Sequence, residues 1–205
     1  MEDVSTQLLD WAVATRPFPG EARSADGHLV HVAPWGALLA VADGVGHGSE
    51  AAAATRIALA ALEQHAHEPL GLLLERCHDS LRGTRGVALS MSAFHGDADT
   101  MTWLGVGNVA GVLLRAAPQG TPPAETLVMR AGLVGDRMPA VSASTTRVAR
   151  GDTLILATDG IRTSFAESPS LADAPQELAE LILARYGKGT DDALVLVARY
   201  LGGSG

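Results

Sequence analysis

Residues 37–48 read ALLAVADGVGHG, and residues 49–64, SEAAAATRIALAALEQ, follow without a break. The first six positions are an apolar run of strand length, closed by Asp43-Gly44, a pair that turns a chain. The alanine-rich stretch after the glycine loop predicts a helix, with Ser49 placed to cap its first turn. A strand passing through a turn into a helix could open a parallel α/β unit, but the surrounding sequence decides otherwise. Residues 69–81 predict a second helix directly after the first, with Leu70, Leu73, Leu74, Cys77 and Leu81 at helical spacing. Strand-length runs come at 29–33 and 37–42, then at 87–94, 101–106, 109–115, 126–130 and 153–158, with a helix at 173–185 and a closing strand at 193–200. Parallel folds alternate strand and helix strictly, and this chain does not. The expectation is an α+β domain of antiparallel sheets with helices packed on their outer faces.

Composition narrows the function. With 205 residues, 47% of them apolar, the chain can bury a full core, which excludes a disordered or fibrous protein. One domain is expected over residues 1–201, with 202–205 as a flexible tail; the Pro- and Gly-rich stretch 116–123 reads as a surface loop between strands. No apolar run is long enough to span a bilayer, and the first residues lack the basic, then apolar, pattern of a secretory signal, so a cytoplasmic protein with no membrane partner is expected. A single cysteine, Cys77, can neither staple the fold nor begin a zinc ligand set. Net charge is −8 and the basic residues are scattered singly, which argues against a nucleic-acid partner.

Three acidic motifs sit at strand ends. Two apolar runs finish in Asp-Gly, at Asp43-Gly44 and Asp159-Gly160, and Asp191-Asp192 immediately precedes the last strand. In antiparallel neighbours the end of one strand and the start of the next share a sheet edge, so all three can converge. Each alone is better read as a turn than as a ligand. Together they crowd carboxylates on one edge, which repel unless a cation neutralises them, and an oxygen-only donor set suits Mg²⁺ or Mn²⁺. Gly44, lacking a side chain, leaves room for a backbone carbonyl to reach an ion. Adjacent acids entering a strand point to opposite faces, so Asp191 and Asp192 cannot both ligate one ion, and one of them must support the other.

The Asp43–Gly48 loop after an apolar strand and before a small-residue helix resembles the D-G-x-G-H-G element of the metal-dependent protein phosphatases (PPM, or protein phosphatase 2C type). Asp159-Gly160 and Asp191-Asp192 match that family's later D-G and D-D elements. Ser24-Ala25-Asp26, Trp103–Asn108 and the stretch 130–139 agree with the small bacterial, RsbX-like branch that serves the stressosome. The resemblance implies two antiparallel sheets packed as a sandwich between helices, with a two-metal Mn²⁺ or Mg²⁺ centre at one edge. Asp43 would bridge the ions, Gly44 would offer its carbonyl, and Asp159 and Asp191 would complete one ion's shell; because the family has Asp-Asp or Asp-Asn at the last pair, Asp191 would be the ligand and Asp192 its support, and Asp26 would support from behind. Arg16 and Arg23 are the candidates for holding phosphate. The implied substrate is phosphoserine or phosphothreonine on a STAS-domain stressosome protein, hydrolysed by a metal-activated water without a phosphoenzyme, and the chain is expected to be a monomer. The competing class is a degenerate phosphatase fold that binds the phosphoprotein without turnover.

Other chemistries fail on spacing. Cys77 is followed by Arg82 after four residues rather than the five a cysteine phosphatase needs, and lies on an amphipathic helix as a core residue. No P-loop is present. Gly105–Asn108 lacks the third glycine and the helix of a dinucleotide loop and reads as a strand bend. His65 and His67 point to different faces of a helix. His47, inside the acidic loop, could protonate a leaving oxygen or orient water, or equally could shape the loop.

Overall fold

The computed structural model describes residues 7–117, 122–167 and 171–203. Ten strands are found there: β1 Leu9–Arg16, β2 Asp26–Ala33, β3 Gly36–Gly44, β4 Val87–His95, β5 Thr100–Val106, β6 Ala110–Leu114, β7 Ala124–Thr126, β8 Ser144–Arg147, β9 Thr153–Ala157 and β10 Ala193–Tyr200. The helices are α1 Ser49–Gln64, α2 Leu70–Ser80 and α3 Pro175–Tyr186, with a short 3₁₀ turn at Thr163–Glu167. The strands form two antiparallel sheets, ordered β1-β10-β9-β6-β7 and β2-β3-β4-β5-β8.

Side-chain alternation builds the layers. Along β3, Leu38, Ala40 and Ala42 pack outward against α1 and α2. Ala37, Leu39 and Val41 turn inward to meet Leu154, Leu156, Leu194 and Leu196 of the other sheet. The outer face of that second sheet, with Ile155, Val195 and Val197, is covered by Leu178, Ala179 and Ile182 of α3. Every residue of 37–42 is fully buried, which is why this strand reads as an unbroken apolar run rather than an alternating one. At the sheet margin, Arg115 after β6 donates to Glu125 and Asp152 and to the Arg147 carbonyl and Thr146 hydroxyl of β8, tying the two sheets together.

Four expectations need correction. β1 goes unread because in LDWAVATR Asp10 interrupts the apolar residues and two of the remaining ones, Ala12 and Ala14, are alanines with little strand signal. Pairing with β10 from Leu9↔Tyr200 to Arg16↔Ala193 makes it a strand. β8 (STTR) is a polar edge strand whose sequence carries no apolar signal. The run expected at 126–130 is a strand only as far as Thr126; beyond it Leu127 donates to the Gly111 carbonyl and Arg130 bridges Val106. Gly48, not Ser49, caps α1: its φ of +83° turns the chain into the helix, so Ser49 already lies in the first turn. Residues 118–121 of the expected surface loop and 204–205 of the expected tail lie outside the described residues.

Two serines of β4 point into the layer between the sheets. Ser90 donates to the Val109 carbonyl at 2.8 Å, whereas the fully buried Ser92 hydroxyl has no partner among the described residues. Removing an unsatisfied buried hydroxyl removes its desolvation cost, so Ser92→Ala should leave stability unchanged or raise it by up to about 1 kcal/mol. A lower melting temperature in a thermal scan would contradict this.

Candidate metal centre

The inward-facing parity of four strands ends in polar residues at one edge of the sandwich. Asp26 opens β2 directly opposite Asp43 of β3, Thr158 follows β9, and Asp192 precedes β10. Each continues the inward-facing row of its strand. Thr158 Oγ1 donates to Asp26 Oδ2 at 2.7 Å and accepts the Leu194 N–H at 2.9 Å, joining the sheets. Asp192 Oδ1 accepts the Phe18 N–H at 2.8 Å, while its Oδ2 is buried without a partner among the described residues. Asp26, Thr158 and Asp192 form a buried polar floor, with Asp43 at its border.

Above the floor lies a cleft of about 510 Å³, lined by Asp43, Asp159 and Asp191 together with Val45, Gly46, Asn108 and Leu133. Asp191 stands at its rim and accepts the Asp192 N–H, so the neighbouring acids do face apart: Asp191 to the cleft, Asp192 to the floor. Asn108 Nδ2 donates to Asp159 Oδ2 at 2.7 Å. Among the described residues no three His, Cys, Asp or Glu side chains close into a ready ion cage. The donors are nevertheless all oxygen, carry an excess of negative charge and include an orphaned buried carboxylate oxygen, a set that fits a hard divalent cation.

The two Asp-Gly glycines have separate steric reasons. Gly44 falls on the helix-facing row of β3, where a Cβ would overlap the Ala51 carbonyl oxygen of α1. A Cβ on Gly160 would overlap the Asp192 carbonyl oxygen. Glycine at 160 therefore lets the Asp159 turn and the Asp191-Asp192 segment approach, bringing two acidic motifs distant in sequence to one cleft.

The structure does not bring Arg16, Arg23 or His47 to the cleft lining. Arg16 shares its row of β1 with Ala12 and Ala14 and points to the α3 side, where its guanidinium packs in the space left by Gly187. Arg23 is exposed. His47 stacks on Phe18 with ring centroids 4.4 Å apart, and its Nδ1 lies 3.5 Å from Glu21. That contact is the loop-shaping alternative. Sequence reasoning missed Asn108 and Thr158 as site residues. Asn108 follows a strand that ends at the same edge, and Thr158 directly precedes Asp159, so the strand-end rule that found the acids could have found both.

Burial, and then mutual repulsion, hold the carboxyls above their ordinary range. Asp26 is raised by burial and next by Asp43; Asp43 by burial and next by Asp159, Asp191 and Asp192; Asp159 by burial and next by Asp191. The folded, metal-free protein thus keeps protons that the unfolded chain releases. Its stability should be greatest on the acid side and fall as pH climbs from about 4 through neutrality. Saturating Mg²⁺ should flatten that slope, because the cation takes the proton's place. Urea titrations with chelator between about pH 5 and about pH 8 check it; metal-free stability rising with pH would contradict it.

Two antiparallel sheets between helices is the fold of protein phosphatase 2C domains of known structure. Residues 34–201 match the family described as Stage II sporulation protein E (SpoIIE), and the chain belongs to that family. It is similar to the phosphoserine phosphatase RsbX of Bacillus subtilis (strain 168), 26% identical over 124 residues, a match spanning 60% of this chain and 60% of that protein. A solved chain from work on the bacterial stressosome as a modular system adapted to control secondary messenger signalling is 30% identical. That superposition has a TM-score of 0.86 and covers 94% of this chain and all of that one. RsbX in complex with magnesium, 21% identical with a TM-score of 0.81 over 94% of this chain and 95% of that one, shares the fold.

Proposed function

We propose that this protein is a divalent-metal-dependent phosphatase acting on phosphoserine or phosphothreonine of a folded STAS-domain protein of the stressosome. The single observation that carries the reading is the convergence of Asp43, Asp159 and Asp191 on one cleft above the Asp26–Thr158–Asp192 floor. The similarity to a phosphoserine phosphatase and to a stressosome chain supports the substrate class. Among the described residues no helix is long and apolar enough to cross a membrane. A cytoplasmic monomer remains part of the proposal.

Asp43, Asp159, Asp191 and the Gly44 carbonyl would hold the Mg²⁺ or Mn²⁺, two ions being expected. Bound there, the ions supply positive charge against the phosphoryl oxygens and lower the pKa of a water to neutral range. The remaining work belongs to the chain. Asn108 donates to Asp159 Oδ2 and so fixes that carboxylate's orientation. The Phe18 N–H anchors Asp192 Oδ1, and Thr158 anchors Asp26 Oδ2, so the floor keeps its shape when protons leave it. Val45 and Leu133 supply apolar walls that limit water at the cleft.

Hydrolysis of a small aryl phosphate by the purified protein tests the reading. Turnover should require Mn²⁺ or Mg²⁺ and vanish with chelator, while circular dichroism remains that of the folded protein. Full turnover without metal would overturn it. Metal binding and phosphoprotein capture without turnover would establish the non-catalytic alternative. A phosphoserine peptide should be a poorer substrate than the intact folded partner; equal efficiency would remove the docking component and leave the phosphatase reading standing.

A further inference from the structure

An acidic cleft that receives a phosphomonoester, itself carrying close to two negative charges, needs positive charge at its mouth as well as in its floor. No arginine is among the residues lining the cleft. Arg16 is folded under Gly187, and Arg85, which lies beside Gly46, is held by Glu50 through Nε at 2.8 Å and Nη2 at 2.7 Å. Lys188 is the one lysine in the sequence. It lies outside the cleft lining itself but is exposed beside it, and its ammonium makes no hydrogen bond or ion pair among the described residues.

The backbone around Lys188 is nevertheless fixed against the site. Gly187 bridges Ile161, and the Lys188 N–H donates to the Gly160 carbonyl at 2.8 Å, so the residue is fastened to the turn that presents Asp159. Gly189, with φ +76°, then reverses the chain so that Asp191 returns to the rim. Lys188 stands at the apex between two cleft acids, on a four-carbon stem. Its positive charge reaches Asp159 and offsets part of the repulsion from Asp191 there. It has not collapsed into an ion pair there: Asp159 Oδ2 is taken by the Asn108 amide. A compact ammonium fastened at its backbone and free at its tip can meet an incoming phosphoryl oxygen as a point charge.

We propose that Lys188 is a phosphate-binding residue, its ammonium holding a phosphoryl oxygen of the substrate at the Asp159 side of the cleft mouth. The proposal deepens the phosphatase reading and rests on it for the substrate. Binding can be read without turnover, because reductive methylation with ¹³C-formaldehyde labels only Lys188 and the amino terminus. In the presence of Mg²⁺, inorganic phosphate should shift the Lys188 dimethyl signal saturably, beyond a chloride control of equal ionic strength, and leave the terminal signal unmoved. A Lys188 signal that follows ionic strength alone overturns the proposal.

Kinetics supply the second readout. Lys188→Met should raise KM for an aryl phosphate and the inhibition constant for inorganic phosphate by about tenfold, with kcat and melting temperature little changed. Lys188→Arg should recover most of the loss. Unchanged KM and phosphate inhibition in Lys188→Met, with metal bound more tightly, would mean that the lysine merely balances Asp159, and would overturn the proposal. Loss of metal-dependent turnover in the unmodified protein sinks the phosphatase reading instead, and the methyl titration still decides whether Lys188 binds phosphate.

Discussion

Asp43→Asn should lower hydrolysis by about three orders of magnitude and, in chelator, make the protein more stable at neutral pH. The first effect follows from Asp43's position. It lies on the cleft lining, opposite Asp26 and within the field of Asp159, Asp191 and Asp192, so on the proposed reading its charge would be central to holding the metal. Charge stabilisation by a metal clamp contributes several kcal/mol to the transition state, and a loss of about 4 kcal/mol is about 10³ in rate. The second effect has the opposite sign for the same electrostatic reason. Asp43 is buried among like charges, so a neutral amide of equal size relieves repulsion on the order of 1 kcal/mol and weakens the pH dependence of stability. Steady-state kinetics and denaturant titrations measure the two. Unchanged turnover would locate the centre elsewhere, and a destabilised metal-free variant would show that the carboxylate is needed by the fold.

Asp191→Asn and Asp192→Asn should separate widely although the residues are neighbours. Asp191 stands at the cleft rim, and its replacement removes a charge from the ion's own surroundings, so metal affinity and turnover should fall severely. Asp192 is 4% exposed and held by the Phe18 N–H, a contact an asparagine side-chain oxygen can still accept. Its replacement should cost about 10- to 100-fold or less, as changes to groups that orient ligands do. Isothermal titration with Mn²⁺ decides between them. If Asp192→Asn is the variant that loses the ion, the orphaned Asp192 Oδ2 is the ligand and the floor, not the rim, holds the metal.

Both variants turn on residues whose importance was legible in the chain before any coordinates. Residues 37–42 and 153–158 are apolar because their strands lie within a layered sandwich, and each stops at an acid because the sheet edge there meets solvent. Consecutive helices between strands excluded a parallel sheet, and the alternation of side chains separated Asp191 from Asp192. These are local properties: hydrophobic periodicity and strand-end chemistry act over a few residues and leave their mark in order along the chain.

Pairing across long separations was decided by the tertiary structure alone. β1 is a strand because β10 lies beside it, and β8 because β5 does; neither sequence would hold that shape by its own propensity. The direction of Arg16 depends on which face of β1 meets α3, and that of His47 on Phe18 coming to lie beneath it, so composition could nominate both for the site and only packing could remove them from the cleft. The strand-end rule can nominate Asn108 and Thr158 for the edge, but that they reach carboxylates 51 and 132 residues away is decided by packing. Residue type and spacing determined which chemistry this chain can hold, whereas the register of two sheets determined which atoms meet, because a side chain's face is set by its strand and its neighbours by the strands paired beside it.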